Sequence, residues 1–279
     1  MAVANEFLPS GYYIECTKDA LSLLEPISTV AILFGIGLGA GTLGSMLGVG
    51  GGIIMVPALT FLGLPPVQAT STSLIAVSST SVSSTIEYSR QKRIDYRLGL
   101  QMAAFAIPGA ILGAIMSDYL SPASFSLYFG ILLILTGVYI LFKNSILKEV
   151  PAEKHSIVPR VVVFSATFGA GIISSLFGVG GGVIFMPAML LVLGLTMQRA
   201  APTSQLILMI TSLAGVLMHA LLFHPDYFQA LVLSAGAFAG AQIGARLSRT
   251  AKEVLLQRLL GITLIAVAAT FIADWLASR

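Results

Sequence analysis

The chain has 279 residues, of which 56% are hydrophobic and only 10% are charged. Soluble domains carry about 25% charged residues, so this composition excludes an ordinary soluble enzyme, a disordered tail and a coiled coil, and it predicts a polytopic helical membrane protein. In such a protein the net charge of +3 indicates a basic cytoplasmic face, and no nucleic-acid partner is expected.

Ten apolar runs follow a polar, acidic segment at residues 1–26, which we expect to be extracytoplasmic. A spanning helix needs about 20 apolar residues. Eight of the runs are long enough, and the two short ones, which begin at Gly51 and Gly181, are predicted to be half-helices. The runs cover residues 27–48, 51–64, 69–88, 98–117, 123–142, 160–178, 181–195, 200–223, 228–246 and 255–275.

The chain repeats itself. Residues 39–58 and 169–188 are identical at twelve of twenty positions, at an offset of 130. After a one-residue slip the match continues, so that Asp95 corresponds to Asp226. Internal duplication is typical of secondary transporters. The predicted organisation is a first transmembrane repeat at 27–143, a cytoplasmic linker at 144–157 and a second transmembrane repeat at 158–279.

The distribution of basic residues favours an inverted arrangement of the two repeats. If each glycine-rich break forms a re-entrant hairpin or a pair of crossings, 13 of the 15 Lys and Arg residues fall on one side, whereas eight plain crossings would divide them 10 to 5. Cytoplasmic loops carry excess Lys and Arg, so the first arrangement is predicted, with both termini outside. The basic residues placed on the cytoplasmic side are Arg90, Lys92, Arg93, Arg97, Lys143, Lys148, Lys154, Arg160, Arg199, Arg246, Arg249, Lys252 and Arg258.

The predicted fold is therefore all-α. It is a polytopic membrane protein built from two inverted repeats, each with a glycine-broken re-entrant helix hairpin and three spanning helices. This amounts to eight long apolar helices and two half-helices.

Each half has three consecutive glycines followed, five residues later, by a proline, Pro57 or Pro187. Glycine weakens a helix by about 1 kcal/mol relative to alanine, so each triplet is expected to end one helix. If the next helix begins near Ile53, Pro57 falls in its first turn, where its missing N–H has no intrahelical partner to lose. Helix starts attract anions, which predicts an anion site, whereas close helix packing is the alternative. The predicted binding glycines are Gly50, Gly51, Gly52, Gly180, Gly181 and Gly182.

Hydroxyl and amide groups near the starts of the following helices are further candidates for substrate binding, because they donate hydrogen bonds to sulfonyl or carboxylate oxygens. Helix capping is the alternative for the Ser and Thr residues. The polar run at residues 78–85 indicates pore lining or helix–helix hydrogen bonding. The predicted binding side chains are Thr72, Ser73, Thr203, Ser204, Gln205 and Gln242.

Ionisable residues deep in the membrane are few, and His219 is the deepest. It is a candidate proton carrier in coupled transport, with a hydrogen-bonded core histidine as the alternative. His219, His224 and Asp226 suggest a metal site, but a proline-containing loop explains them better. Glu87 is expected to pair with Arg90, one turn away. No catalytic residue, metal or cofactor is predicted.

Three motifs of the first half resemble those of the TauE/SafE family of sulfite exporters: GVGGG at 48–52 followed by Pro57, LGLPP at 62–66 with Thr72-Ser73 after it, and IDYR at 94–97. The resemblance extends over about residues 29–273. The second copy departs from the pattern, since Arg199 stands where the first half has Gln68. The resemblance implies an inner-membrane permease for a small anion, often sulfite or an organosulfonate.

The predicted function is a secondary transporter that moves such an anion outward across the inner membrane. The alternatives are an anion channel, an importer of a sulfur-containing or carboxylate anion, and, less favoured, a membrane enzyme or an assembly subunit. The expected partners are the small anionic substrate and the lipid bilayer, and a homodimer is left open.

Overall fold

The computed structural model describes residues 11–148, 160–193, 195–249, 261–262, 265–273 and 276, and every regular element in these segments is helical. Short 3₁₀ and π turns follow two of the helices, at Ser117–Tyr119 and Ala188–Val192, and residues 265–273 are helical as well. The helices are α1 (Gly11–Leu47), α2 (Gly52–Phe61), α3 (Pro66–Arg90), α4 (Tyr96–Met116), α5 (Pro122–Lys148), α6 (Arg160–Phe177), α7 (Gly182–Pro187), α8 (Met197–Leu221) and α9 (Tyr227–Leu247).

Within the described segments, four helical stretches are long and apolar enough to cross a membrane: Ser28–Leu47, Tyr96–Tyr119, Met197–Leu221 and Tyr227–Leu247. Helix α3 has 25 residues, which is sufficient length, but its many hydroxyl side chains keep it out of this apolar set. The structure therefore supports a helical membrane protein.

Helices α3 and α8 lie antiparallel at the centre of the molecule. At one end, Arg93 after α3 donates from Nε to the Gln198 carbonyl in the first turn of α8, at 3.0 Å. At the other end, the Asp226 N–H that follows α8 donates to Thr72 Oγ1 near the start of α3, at 3.1 Å. We call these the basic end and the histidine end, after Arg93 and His224.

Helices of the first half pack in pairs with helices of the second half. Helix α1 packs closely against α9, and α4 packs against α6. Glycines make both contacts: a Cβ on Gly41 would lie 2.9 Å from Ala237 Cα, and one on Gly171 would lie 3.0 Å from the Ala106 carbonyl carbon. Gly41 and Gly171 occupy corresponding positions of the two repeats, as do Ala106 and Ala237 after the one-residue slip, so equivalent residues make both contacts.

Each glycine break turns the chain back on itself. Phe34 of α1 lies against Gly236 of α9, and Thr42 lies against Gly244, so these two helices run in parallel. Helix α9 starts beside Thr72 at the histidine end, and α1 therefore comes from that end. Helix α2 leads from the break to the start of α3 at the same end, so α1 and α2 form a hairpin.

The prediction that Pro57 lies in the first turn of its helix is wrong. Gly51 caps α2 with a positive φ of 82°, and the helix already begins at Gly52. Pro57 is consequently in the second turn. Pro187 ends α7 and is followed by the π turn Ala188–Val192. A π turn accommodates a residue that disrupts regular α-helical hydrogen bonding.

A cluster of aromatic rings packs beside the breaks. Phe125 and Phe129 of α5 stack with ring centroids 5.3 Å apart, and Phe177 at the end of α6 lies 5.6 and 5.7 Å from them. Phe271 meets Phe129 edge to face at 5.4 Å. Aromatic pairs at such distances contribute about 0.5–1.5 kcal/mol beyond the burial of their area. The cluster thus fixes the hairpins against α5.

Candidate functional site

The two glycine breaks meet near the middle of α3 and α8. Gly50 and Gly180 have positive φ values of 90° and 76°. A Cβ on either glycine would lie 3.0–3.2 Å from the same two side chains, Val77 of α3 and Leu208 of α8. The predicted binding glycines of the two halves are therefore brought together, and the contact surrounding them is apolar in this conformation.

The backbones of the breaks cross without room for side chains. A Cβ on Gly52 would lie 2.7 Å from Val179 Cα, and one on Gly182 would lie 2.6 Å from the Gly48 carbonyl oxygen. Close approach of two backbones therefore requires glycine at these positions. Packing accounts for Gly52 and Gly182, and an anion-binding role of the triplets stays a prediction.

One serine of each half fastens the break of the opposite half. Ser73 Oγ of α3 donates to the Gly178 carbonyl at 3.0 Å, and Ser204 Oγ of α8 donates to the Gly48 carbonyl at 2.7 Å. Both serines are fully buried. They lie in the second turns of α3 and α8, so they do not cap those helices, and they give the breaks a fixed position.

The predicted threonines lie beside the serines and bind the loops before α9 and α4. Thr72 Oγ1 accepts the Asp226 N–H at 3.1 Å, and Thr203 Oγ1 accepts the Asp95 N–H at 3.0 Å. Asp95 and Asp226 are the N-caps of α4 and α9, where each side chain accepts a backbone N–H. Helix α3 is thus linked to the loop before α9 in the same way as helix α8 is linked to the loop before α4.

The predicted glutamines make hydrogen bonds between helices. Gln205 accepts from Ser84 Oγ at 2.9 Å and donates to the Gly44 carbonyl at 3.0 Å. Gln242 donates to the Ser83 carbonyl at 2.9 Å. Helix–helix hydrogen bonding is thereby confirmed for part of the polar run at residues 78–85.

Several buried hydroxyls in the described part of the chain have no hydrogen-bond partner. An unpaired buried polar group costs about 1–3 kcal/mol, and it commonly marks a place where water or a ligand binds. Two of the hydroxyls, on Ser81 of α3 and Ser212 of α8, occupy corresponding positions of the two repeats. The hydroxyls belong to Ser81, Thr85, Ser174, Ser175, Ser212 and Ser234.

A cavity of about 450 Å³ opens at the basic end, and a neighbouring one of about 230 Å³ shares three of its basic residues. The sequence prediction treated these basic residues only as indicators of topology and missed the cavity. The sequence feature that could have indicated this cavity is Arg199, which stands where the first half has Gln68. The larger cavity is lined by Gln91, Lys92, Arg93, Thr196, Gln198, Arg199 and Arg249.

Arg93 is held at this cavity by its neighbours. Its Nη1 donates to Gln91 Oε1 at 3.0 Å and to Ser248 Oγ at 3.1 Å, and its guanidinium carbon lies 5.4 Å from the centre of the Tyr88 ring. Burial lowers the pKa of Arg93, and the charge of Arg249 acts in the same direction. An arginine remains charged under such a shift, so the cavity holds a fixed, partly desolvated cation.

Glu87 does not form the expected pair with Arg90. Its Oε2 lies 3.5 Å from Arg246 Nε of α9, and its Oε1 accepts from Gln91 Nε2 at 3.2 Å. The crossing of α3 and α9 brings Arg246 to the carboxylate, which sequence spacing alone does not show.

At the histidine end, His219 is fully buried and its Nε2 lies 3.1 Å from the Ser175 carbonyl oxygen. Its Nδ1 lies 2.9 Å from Nδ1 of His224, and His224 Nε2 lies 2.8 Å from Asp118 Oδ1. The acidic partner of the histidines is therefore Asp118. Asp226 is not part of this group, because its carboxylate caps α9 and accepts the Gln229 N–H. This is a loop role, which the sequence favoured over a metal site.

The two ends use equivalent positions. Tyr88 corresponds to His219, and its hydroxyl donates to the Ser45 carbonyl at 2.9 Å, as His219 faces the carbonyl of Ser175. In the same alignment of the two repeats, Arg93 corresponds to His224. Equivalent positions thus carry an aromatic hydroxyl and an arginine at one end and two imidazoles at the other.

Comparison with known proteins identifies a family and several related membrane proteins. The family model described as sulfite exporter TauE/SafE matches residues 33–271. The probable membrane transporter protein YunE of Bacillus subtilis is 32% identical over 265 residues, which cover 87% of this chain and 97% of the relative. YfcA of Escherichia coli, also named a probable membrane transporter protein, is 24% identical over 92% of this chain and 94% of its own length. No solved structure matches the chain significantly.

The match extends over most of the chain, and it includes both glycine breaks, the α3–α8 pair and the residues of both ends. A helical membrane architecture and relatives named as transporters indicate a transporter rather than an enzyme. The chain belongs to the sulfite exporter TauE/SafE family.

Proposed function

We propose that the protein is a secondary transporter that moves a small anion, sulfite or an organosulfonate, out of the cell across the inner membrane. The basic cavity is the observation that carries this proposal. It presents Arg93, Arg199 and Arg249 to a space of about 450 Å³, which accommodates a small sulfonate. Guanidinium groups bind planar and tetrahedral oxyanions through paired N–H donors.

The anion enters from the cytoplasm at the basic end. This assignment follows the excess of Lys and Arg at that end, since cytoplasmic loops are rich in both residues. It places the chain termini outside and makes the α1–α2 and α6–α7 hairpins re-entrant from opposite sides. The antiparallel arrangement of α3 and α8 and the equivalent contacts of the two halves support such inverted repeats.

The route continues along the interface of α3 and α8. The unpaired hydroxyls of Ser81 and Ser212 lie on these two helices, and their donors are available to sulfonyl oxygens. The crossed glycine breaks close the centre in this conformation. Rocking of the halves, as in other transporters with internal repeats, would separate the breaks and expose their backbone N–H groups to the anion.

The membrane potential favours export. An inside-negative potential drives each negative charge outward with about 2.3 kcal/mol per 100 mV, so the proposed cycle needs no ATP.

The test uses purified protein in proteoliposomes loaded with sulfite or methanesulfonate. We expect saturable efflux and counterflow, which a channel does not produce, above the background of protein-free liposomes. Arg199→Gln should weaken transport because it removes a cavity cation. Arg97→Gln is the matched control, since Arg97 is an exposed arginine at the same end that does not line the cavity.

Equal transport by the Arg199→Gln variant and the wild type would contradict the assignment of the cavity. Absence of counterflow with either anion would contradict the proposed substrate class. Flux that rises linearly with concentration would favour the channel alternative.

A further inference from the structure

His219, His224 and Asp118 form a continuous chain of hydrogen bonds from the surface to the core at the histidine end. The exposed fraction of the side chain falls from 44% for Asp118 to 12% for His224, and His219 is fully buried. The three links measure 2.8 Å, 2.9 Å and 3.1 Å, the last reaching the Ser175 carbonyl. Solvent is thus connected to a buried imidazole.

The acceptors fix how many protons this chain holds. A carbonyl oxygen only accepts, so His219 Nε2 carries a proton. A neutral His219 then offers a lone pair at Nδ1, and His224 Nδ1 must donate to it. His224 Nε2 lies at Asp118 Oδ1: an ionised Asp118 accepts there, in which case both nitrogens of His224 carry a proton, whereas a protonated Asp118 donates to Nε2 and holds the same proton itself. The chain therefore holds one proton more than two neutral imidazoles.

That extra proton can move inward along an existing hydrogen bond. Transfer from His224 Nδ1 to His219 Nδ1 breaks one N–H bond and forms another. His219 becomes the imidazolium, and His224 is left neutral with its Nε2–H still on Asp118. The positive charge thereby moves from a nearly buried position to a fully buried one, and no side chain has to rotate.

Unpaired hydroxyls lie on the inner side of His219. Ser175 Oγ has no partner, although its carbonyl receives the histidine, and Ser212 lies two turns before His219 on α8. The titratable residues next to these groups along the chain are Tyr119 and Tyr227, both exposed, and Asp226, which caps α9. The histidine chain therefore leads from this surface to the backbone of Ser175 in α6, and the unpaired hydroxyls belong to the two helices that the chain joins.

We propose that Asp118, His224 and His219 form a proton path and that anion movement is coupled to proton movement through His219. This inference rests on the proposed transport function. An ionisable pair buried in a membrane protein is costly, and it is retained where protons or ions are moved.

The experiment measures proton and anion movement separately in proteoliposomes. Methanesulfonate is the probe because it stays ionised and carries no proton itself. The lumen contains a pH-sensitive dye, and the membrane potential is clamped with potassium and valinomycin. We expect methanesulfonate flow through the wild type to change the pH of the lumen, with the sign of the change giving symport or antiport.

His219→Tyr is the decisive variant. Tyr88 occupies the equivalent position and donates to a backbone carbonyl, so a tyrosine at 219 can keep the bond to Ser175 but cannot relay the proton. We expect this variant and Asp118→Asn to retain methanesulfonate counterflow and to reduce the pH change to the level of protein-free liposomes. Arg97→Gln should leave both measurements unchanged.

Two results would overturn the proton path while leaving the transport function intact: methanesulfonate flow without a pH change in the wild type, or an undiminished pH change in His219→Tyr. If the wild type does not carry methanesulfonate, the proposed substrate fails, and nitrogen-15 NMR of the histidine rings in nanodiscs decides the path. A shared titration of His219 and His224 that Asp118→Asn alters supports it. If the two histidines titrate independently and Asp118→Asn leaves their titration curves unchanged, the proton path is refuted.

Discussion

The basic end and the histidine end are built on equivalent positions but differ in chemistry. Tyr88 and Arg93 occupy at the basic end the places that His219 and His224 occupy at the other. The tyrosine and the buried histidine each bind a backbone carbonyl, of Ser45 or Ser175. Their outer neighbours diverge, because Arg93 keeps a constant charge and His224 can exchange a proton. The duplicated scaffold is thus shared, and in the proposed cycle its two ends have different tasks, anion attraction at the basic end and proton exchange at the histidine end.

The largest effect is expected from Arg93→Gln, which would make the two ends more alike by removing the constant charge. Charge-assisted hydrogen bonds contribute about 1.5–3 kcal/mol, which corresponds to about a 10- to 100-fold loss of anion affinity. The measurement is the concentration dependence of methanesulfonate counterflow. An apparent affinity within the error of the wild type would show that Arg93 does not attract the anion. Arg97→Gln again serves as the control.

Substitutions at Gly109 and Gly240 test whether the scaffold beneath the two ends is the same. Both glycines face the backbone of a neighbouring helix, at Phe168 and Leu38 respectively. Alanine at either position should lower the free energy of unfolding by about 1–3 kcal/mol through overpacking, and by similar amounts in the two halves.

Gly39→Ala is the matched control, because no atom lies within 4 Å of a Cβ at that position. Thermal unfolding in detergent gives the comparison. A Gly39→Ala variant as unstable as Gly240→Ala, or a loss confined to one half, would contradict equal packing.

Tyr88→Phe removes the hydroxyl that donates to the Ser45 carbonyl at 2.9 Å. We expect a loss of about 1 kcal/mol in the free energy of unfolding, since a buried hydrogen bond is lost and the ring is kept. Thermal unfolding measures this effect. Tyr96→Phe is a suitable control, because Tyr96 is exposed and its hydroxyl binds only exposed Ser89. Equal melting temperatures for Tyr88→Phe and the wild type would remove the structural parallel with His219.

The smallest effect is expected from Glu87→Gln at the edge of the basic end. Arg246 has a side chain that is 65% exposed, and its Nε lies 3.5 Å from the carboxylate. Ion pairs of this kind contribute about 0–1 kcal/mol, so neither stability nor counterflow should change measurably. A large loss of transport would show that Glu87 belongs to the anion route.

The sequence was sufficient for the family, the helical membrane class and the positions of the breaks, because apolar length and glycine triplets are local features. It did not show that Arg93, Arg199 and Arg249 share a cavity, since these residues come from three separate segments of the chain. Likewise, Asp118 and His224 belong to different halves and meet only through the packing of those halves.

The start of α2 illustrates a smaller limit. A left-handed Gly51 lets the helix begin at Gly52, and this moved Pro57 into the second turn. Such a cap depends on backbone conformation, which the residue order of three glycines leaves open.

The packing of first-half helices against second-half helices affects the order in which the chain can assemble during synthesis. Helix α1 is made first, but its glycine face is completed by α9, which is translated only after the whole of the first half. Helix α4 waits in the same way for α6. The newly made first half therefore enters the membrane with two unsatisfied faces, and neither half can finish its assembly until translation has passed Leu247.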